Sequence, residues 1–286
     1  MQKQCRALLD AVLFSNLFIA TAAAAQVAFT YQLIDAAPNL KVIGLVFCAT
    51  LALYSFSMLM AKPSNPLASP FKRVRWIFSN QSLFISLGCL AAVCGAVLSF
   101  SLNTPAQILL MILGIIAISY NLPLFRLGKK RIGLRHLPGV KLFLIALVWT
   151  LSVDLLPLVE LQSTDPLQIT SSQTLLLMAQ RFLLISAIVI PFDVRDLYQD
   201  QIHRLKTIPV VLGEKNAYRL CFGLLLCTLL FSSLVSPLFS LEFIAISITI
   251  LISLWLIFKY TGDKNEYYYF FFLDGLLILP WLISVF

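Results

Sequence analysis

Three aspartates that follow an apolar segment are the residues of this sequence best suited to chemistry. Asp193, Asp196 and Asp200 lie close together in a chain that is only 12% charged. On an ideal helix, at about 100° per residue, they fall within roughly 60° of one another. Like charges on one face repel unless a cation or a bound base neutralises them. The cluster therefore indicates a site for a divalent metal and a diphosphate, or alternatively a solvated turn after the apolar segment.

A second candidate group is basic and follows Tyr120 and Asn121. Pro123 ends the preceding apolar segment, and five bases come after it. Arg and Lys side chains bind phosphates through charge-assisted hydrogen bonds, so this segment could clamp an anionic substrate. The alternative is an ordinary basic loop at a membrane surface. The five bases are Arg126, Lys129, Lys130, Arg131 and Arg135.

The composition indicates that these residues belong to an integral membrane protein. Of the 286 residues, 60% are hydrophobic and 12% are charged, whereas a soluble domain carries about 25% charged residues. The net charge of +8 is explained by basic loops that face anionic lipid, so no nucleic-acid partner is expected. The chain has no CxxC pair, and its two histidines lie in basic loops, which argues against zinc and haem. The six cysteines are expected to be small buried hydrophobes.

Nine apolar segments without period-2 alternation predict an all-α bundle of nine transmembrane helices, with residues 1–286 forming one domain. The first segment is too long for a cleaved signal peptide and is taken as a retained span. Basic residues fall almost entirely in alternate loops, which places the N-terminus in the cytoplasm and the C-terminus outside. Both candidate groups then lie on the cytoplasmic side. The segments run at about 7–34, 39–61, 82–103, 105–122, 138–158, 173–193, 215–238, 241–260 and 266–286.

Three of the charged residues inside the predicted spans form a separate group. A charge at membrane depth is costly and tends to pair or to line a cavity. Arg181 in the sixth span and Asp274 in the ninth lie at depths that permit an ion pair. Such a pair would clamp the bundle or contact a second substrate. Asp154 lies near the outer end of the fifth span and is expected to reach water.

Two motifs extend the candidate groups. Residues 120–127 (YNLPLFRL) lead through bases and a Pro-Gly pair into a helix with Lys141 and Trp149. Residues 193–200 (DVRDLYQD) are followed by residues 206–213 (KTIPVVLG). With these motifs and nine predicted spans, the sequence resembles the UbiA superfamily of intramembrane aromatic prenyltransferases.

The resemblance implies an enzyme that moves a polyprenyl group from its diphosphate to a lipophilic or aromatic acceptor, inside a multi-pass protein of a bacterial inner membrane. It implies Mg²⁺ on Asp193, Asp196 and Asp200. It also implies catalytic roles for Asp196, Asp200 and Tyr120. Magnesium and bases would stabilise the departing pyrophosphate, and an apolar pocket would keep the carbocation dry. The bases expected to hold the diphosphate are Arg126, Lys129, Lys130, Arg195 and Lys206.

The sequence departs from the resemblance at the family's first acidic motif, NxxxDxxxD after the second helix. Residues 53–62 contain no acid, and none occurs between Asp35 and Asp154. Bases in the following loop are expected to contact the diphosphate directly, leaving a single metal on Asp196 and Asp200. These loop bases are Lys62, Lys72, Arg73 and Arg75.

Two alternatives come from other functional classes. The missing first motif favours a non-catalytic homologue that binds an isoprenoid lipid or a partner protein, whereas the retained aspartates favour an enzyme. Transporters often contain paired broken helices near the membrane midplane, but the clear break inside a span here is Pro280. The aromatic run at residues 267–272 is expected to pack at the lipid interface, with stabilisation of a carbocation as its alternative role.

Overall fold

The computed structural model describes residues 2–122, 125–127, 130–134, 139–162, 170–202, 205–259 and 265–285. Within these ranges the regular secondary structure is helical apart from one antiparallel hairpin, formed by β1 (Phe125–Leu127) and β2 (Lys130–Ile132). The helices are α1 (Gln2–Phe14), α2 (Leu17–Leu33), α3 (Leu40–Met60), α4 (Lys72–Ser79), α5 (Gln81–Ser99), α6 (Thr104–Asn121), α7 (Val140–Thr150), α8 (Leu156–Leu161), α9 (Ser171–Arg195), α10 (Leu197–Ile202), α11 (Ile208–Leu212), α12 (Glu214–Val235), α13 (Leu241–Lys259) and α14 (Leu279–Val285). A 3₁₀ turn covers Pro66–Ala68, and π-helical segments cover Leu151–Leu155 and Tyr268–Leu273.

Long apolar helices make the chain an integral multi-pass membrane protein. In the part that the structure describes, six helical spans are long and apolar enough to cross a membrane. The pair α1 and α2, bent by 61°, gives a seventh if it is counted as one span, and α6 is a shorter apolar helix. The nine-span count and the orientation stay predictions. The six spans are Leu40–Met60, Gln81–Ser99, Val140–Leu161, Ser171–Arg195, Glu214–Val235 and Leu241–Phe258.

Helix α9 is central to the bundle and carries the first of the three aspartates. It packs against α12 and α7, whereas α3 packs against α2 and α5. A capping box starts it, because the Thr170 hydroxyl accepts the Gln173 N–H and the Gln173 side chain accepts the Thr170 N–H. Leu184 and Ile190 are fully buried along its length. Asp193 therefore lies at the end of a firmly packed helix.

A proline inside α9 is compensated by a neighbouring helix. Pro191 has no N–H, so the carbonyl of Ala187, four residues earlier, loses its helical donor. The thiol of Cys221 on α12 donates to that carbonyl at 3.1 Å. The expectation that all six cysteines are buried is confirmed only for Cys221, because lipid rather than protein can cover apolar helix faces. Four others are exposed: Cys5, Cys89, Cys94 and Cys227.

The predicted ion pair between Arg181 and Asp274 is wrong, because Arg181 pairs with Asp154 instead. Arg181 Nε lies 3.2 Å from Asp154 Oδ1, and the two side chains are 1% and 0% exposed. Asp154 therefore does not reach water. It lies in the π-helical segment Leu151–Leu155, whose wider turn faces α2 and α9. Thr30 on α2 donates to the same carboxylate oxygen at 2.8 Å, and Arg181 also donates to Gln26.

Candidate active site

A cavity of about 670 Å³ lies between α3, α6 and α7 and is also lined by the segment that follows α9. Four charged side chains line it in the part of the chain that is described: Arg73, Lys141, Asp196 and Asp200. The rest of its wall is mainly apolar and aromatic, which suits an amphipathic ligand. These wall residues are Leu53, Tyr54, Ser57, Met58, Ala61, Ile116, Ala117, Tyr120, Leu144, Ile145, Val148, Trp149 and Leu205.

A smaller apolar cavity of about 80 Å³ continues this wall. It shares Tyr54 and Trp149 with the larger cavity and extends toward Ala23 and Leu45. The Trp149 indole N–H donates to the Tyr54 hydroxyl at 3.2 Å. The charged end and the apolar end are therefore separated by a fixed aromatic pair.

The loop after α9 brings two of the predicted acids to the cavity. Asp196 is the C-cap of α9, and its carbonyl accepts the N–H of Asp200 on α10 at 2.9 Å. The carbonyl of Asp200 then accepts the N–H of Leu205 at 2.8 Å. The carbonyl of Lys206 accepts the N–H of Gly139 at 3.1 Å, and this bond joins the loop to the start of α7.

Lys141 on α7 neutralises two of the three aspartates. Its ammonium nitrogen lies 2.7 Å from Asp193 Oδ1 and 3.6 Å from Asp200 Oδ2. The shorter distance is a charge-assisted hydrogen bond, whereas the longer one is an ion pair without a hydrogen bond. Asp193 is buried beside α7 and is absent from the described cavity wall. From the sequence, Lys141 was noted only as part of the helix that follows the basic segment and its Pro-Gly pair.

Asp196 is held by the residue before it. Arg195 donates from Nε to Asp196 Oδ1 at 2.8 Å and from Nη2 to Oδ2 at 3.2 Å. The guanidinium of Arg195 also lies over the ring of Tyr269, 4.8 Å from its centroid. Arg195 thus orients a carboxylate of the cavity without itself being among the lining residues that the structure describes.

None of the bases that the family resemblance predicts to hold the diphosphate is among the described residues that line the cavity. Lys206 is exposed and lies outside the described cavity wall. Arg126 and Lys130 belong to the hairpin that follows α6, but their side chains lie outside what the structure describes. Lys129 lies outside the described residues. Tyr120, the third predicted catalytic residue, lines the cavity together with Asp196 and Asp200.

Of the four bases in the loop after α3, Arg73 alone reaches the described wall of the cavity. Lys62 lies over the ring of Phe78. The Lys72 ammonium donates to Asp10 at 2.6 Å, and Arg75 donates to backbone carbonyls of its own loop. Of the four bases expected to contact the diphosphate, only Arg73 therefore lies on the described wall of the cavity.

Arg73 is positioned by three other segments. Glu266 accepts the backbone N–H groups of Lys72 and Arg73, and so caps the positive end of α4. Asn16, in a left-handed conformation with φ 72° at the break between α1 and α2, accepts from Arg73 Nη2. The guanidinium lies 4.2 Å from the centroid of Phe270. Burial lowers the pKa of Arg73 to about 10, so it stays charged at neutral pH.

The residues fit one magnesium ion but not the three-carboxylate site that the sequence predicts. Magnesium in proteins usually takes one or two carboxylates, and phosphate oxygens and water complete its shell. Asp196 and Asp200 supply two carboxylates, and Asp200 Oδ2 is buried with no hydrogen-bond partner. Asp193 is excluded because Lys141 holds it. Across the described ranges, no three acid, Cys or His side chains are grouped for a metal.

Comparison with known proteins identifies the family. A sequence model of the UbiA prenyltransferase family matches residues 35–275. The chain belongs to the UbiA prenyltransferase family. The resemblance seen in the two motifs is thus confirmed. No curated protein matches the chain in sequence.

Solved structures of UbiA homologues have the same fold. One from Archaeoglobus fulgidus, bound to GPP and Mg²⁺, has a TM-score of 0.63 at 13% identity, with 96% of this chain and 99% of that chain covered. The apo structure of a homologue from Aeropyrum pernix K1 has a TM-score of 0.62 at 15% identity, covering 96% and 95%. The Archaeoglobus fulgidus homologue bound to DMAPP and Mg²⁺ has a TM-score of 0.59 at 14% identity, covering 96% and 98%.

No role in the site was predicted from the sequence for Lys141, Tyr54 or Trp149. Lys141 and Trp149 stood within the motif region that follows the basic loop, but nothing in the sequence showed which helix face they occupy. Tyr54 lies in the segment where the first acidic motif was sought. The spacing of Leu53, Ser57 and Ala61, at i, i+4 and i+8, would have identified the face of α3 that lines the cavity.

Proposed function

We propose that this UbiA-family protein is a prenyltransferase that moves a polyprenyl group from its diphosphate to an aromatic acceptor. One observation carries the proposal: acids and bases lie at one end of a single cavity whose remaining wall is apolar and aromatic. A prenyl diphosphate has the same polarity, with a strongly charged head and a long apolar chain. Family membership and the ligands named for the Archaeoglobus fulgidus homologue support the choice.

The diphosphate is placed at the charged end, between α4, α7 and the loop after α9. Lys206 and the hairpin bases are proposed to approach it from the cytoplasmic side; these are Arg126, Lys129 and Lys130. Arg195 keeps Asp196 in position through its paired hydrogen bonds. The prenyl chain follows the apolar wall past Trp149 toward the smaller cavity.

The proposed reaction breaks the bond between the allylic carbon and the diphosphate oxygen, and the electron pair leaves with pyrophosphate. The aromatic acceptor supplies the electron pair for the new carbon–carbon bond and loses a proton, which pyrophosphate takes up. A bound Mg²⁺ would neutralise charge on the departing pyrophosphate. Asp196 and Asp200 are the residues that would hold it. The rings of Tyr54, Tyr120 and Trp149 exclude water and offer π-faces to the developing cation.

A second candidate function is isoprenoid binding without catalysis. The observation that favours it is the cavity-facing side of α3, where Tyr54, Ser57 and Met58 stand in the segment that lacks the first acidic motif. Loss of metal ligands on one side would lower catalytic power while keeping an apolar cavity. The two functions share a ligand class and differ in turnover.

A turnover assay separates them. The purified protein in detergent is incubated with labelled GPP, an aromatic acceptor and Mg²⁺, and both pyrophosphate release and prenylated product are measured. We expect release that falls by at least about 100-fold in Asp196→Asn and Asp200→Asn, because a charge-stabilising group in the transition state contributes about that much. Asp165→Asn is the control, because Asp165 lies between the fifth and sixth predicted spans, in a loop predicted on the outer side. Tight GPP binding without pyrophosphate release would support the non-catalytic function.

The location is proposed from the charges. Basic residues on alternate loops support an orientation with the N-terminus and the charged end of the cavity on the cytoplasmic side. A bacterial inner membrane as the location, and residues 1–286 as one domain, complete the proposal.

A further inference from the structure

We propose that Arg73 binds the diphosphate directly and that the site works with a single divalent metal ion, the guanidinium supplying the remaining neutralisation. This inference rests on the proposed function. It concerns the way in which the head group is held.

The cavity wall offers ligands for one metal ion only. Asp196 and Asp200 are the acids on the wall among the described residues, and a pair of carboxylates holds one magnesium together with phosphate oxygens. The part of the wall that α3 forms presents Leu53, Tyr54, Ser57, Met58 and Ala61. None of these side chains is a carboxylate, so a second ion would have no protein ligand on that wall.

A prenyl diphosphate carries about three negative charges, and Asp196 and Asp200 add two more, so one magnesium ion leaves an excess of negative charge that bases must offset. Two bases line the described cavity, Lys141 and Arg73. Lys141 is already engaged, at 2.7 Å and 3.6 Å, by Asp193 and Asp200. Of these two bases on the described wall, Arg73 is the one that is not paired with a wall carboxylate, so it is the one that can bind a phosphate.

The surroundings of Arg73 fit this role. Its Nε atom is buried and has no hydrogen-bond partner, although the backbone and Nη2 are tied to Glu266 and Asn16. Phe270 supports one face of the guanidinium. Such a group is held in place before the ligand arrives, and a planar guanidinium suits phosphate oxygens. Arg75, two residues later on α4, is exposed and bonded to its own loop.

The first measurement counts metal ions on the wild-type protein. Mn²⁺ replaces Mg²⁺, inorganic pyrophosphate is added, and bound Mn²⁺ is counted by electron paramagnetic resonance. We expect one Mn²⁺ per chain. Two Mn²⁺ ions per chain, coupled through a shared pyrophosphate, would overturn the inference while leaving the proposed function intact.

The second measurement is the displacement of labelled GPP by inorganic pyrophosphate at saturating Mg²⁺. Arg73→Met is expected to weaken pyrophosphate binding by about 10- to 100-fold, the range for a hydrogen bond to a charged group. Arg73→Lys keeps the charge and should lose much less. Arg75→Met, on the same helix but away from the cavity, should bind as the wild type does. Thermal unfolding of each variant checks that the fold is retained.

The outcomes separate the two levels of the proposal. Wild-type binding together with unchanged binding by Arg73→Met overturns the role of Arg73 alone. A wild-type protein that binds neither GPP nor pyrophosphate overturns the proposed function and this inference together. If Arg73→Met does not fold, Arg73→Asn replaces it, and the Mn²⁺ count and the comparison of Arg73→Asn with Arg73→Lys decide. Equal pyrophosphate affinity of these two variants would contradict a charge-dependent role.

Discussion

At the scale of single residues, each of the three aspartates of the site is paired with a basic side chain. Lys141 lies between Asp193 and Asp200, and Arg195 holds Asp196. Three aspartates at helical spacing would repel one another. Arg195 of the motif itself pairs with Asp196, and α7 supplies the cation that pairs with Asp193 and Asp200. The consequence is a division of labour in which Asp193 is structural and the other two acids face the cavity.

Lys141→Met tests this division. Removing the ammonium leaves Asp193, which is 2% exposed, as an uncompensated buried charge, so stability should fall by about 3 kcal/mol. Thermal unfolding in detergent measures the loss. The double variant Lys141→Met with Asp193→Asn should recover part of it, because the orphaned charge is gone. Lys206→Met, an exposed base at the same end of the bundle, is the control. An equal loss in the double variant would contradict the pairing.

At the scale of helices, breaks in regular structure position the site. Asn16 interrupts the first span and turns toward Arg73, and the π-helical segment Tyr268–Leu273 puts Phe270 beneath the same guanidinium. The aromatic run is therefore divided between two surroundings. Tyr268, Tyr269 and Phe270 are buried, whereas Phe271 and Phe272 face outward. Within the six residues of the run, some rings therefore pack inside the bundle near the site and others are exposed on its outer surface.

The break at Pro191 gives a prediction for α9. Cys221→Ala removes the donor to the Ala187 carbonyl and should cost about 1 kcal/mol, the net value of a buried hydrogen bond. Cys221→Ser keeps a donor and should cost less. Cys227→Ala, six residues along the same helix and exposed, is the matched control. Unfolding temperatures of the three variants in one detergent provide the measurement. An unfolding temperature of Cys221→Ala no lower than those of Cys227→Ala and Cys221→Ser would show that the thiol hydrogen bond does not contribute.

At the scale of the whole molecule, a buried polar network joins distant segments away from the cavity. Arg181 on α9 reaches Asp154, Thr30 and Gln26, and Gln26 donates to the Leu277 carbonyl near the end of the chain. Helices in a membrane gain little from apolar contact with one another, so such polar contacts help to fix their arrangement.

Arg181→Leu should therefore destabilise the bundle by about 3 to 5 kcal/mol, because Asp154 is left charged and unpaired at 0% exposure. The double variant Arg181→Leu with Asp154→Leu should be closer to the wild type. GPP affinity of any folded variant should stay unchanged, because neither residue is on the described cavity wall. A selective loss of GPP binding without loss of stability would show that the network belongs to the site.

The sequence by itself determined the class of protein and the location of its chemistry. Long apolar segments predicted a multi-pass helical membrane protein, because the backbone must be satisfied internally in lipid. The order of acids, Lys-Thr and Leu-Gly after residue 193 indicated the family, and the sequence model of that family confirms it. Both results depend on local patterns along the chain.

Only the tertiary structure decided which charges meet. Helix faces and crossing points depend on packing between segments far apart in sequence, so Lys141, Arg73 and Tyr54 could not be assigned to one cavity from their spacing. The same reason explains the wrong partner predicted for Arg181. Position along a span gives the depth of a residue in the membrane, but it does not give the helix face on which the residue lies. The sequence predicted that the three aspartates form one metal cluster. Packing of α7 against α9 separates Asp193 from the two acids that face the cavity.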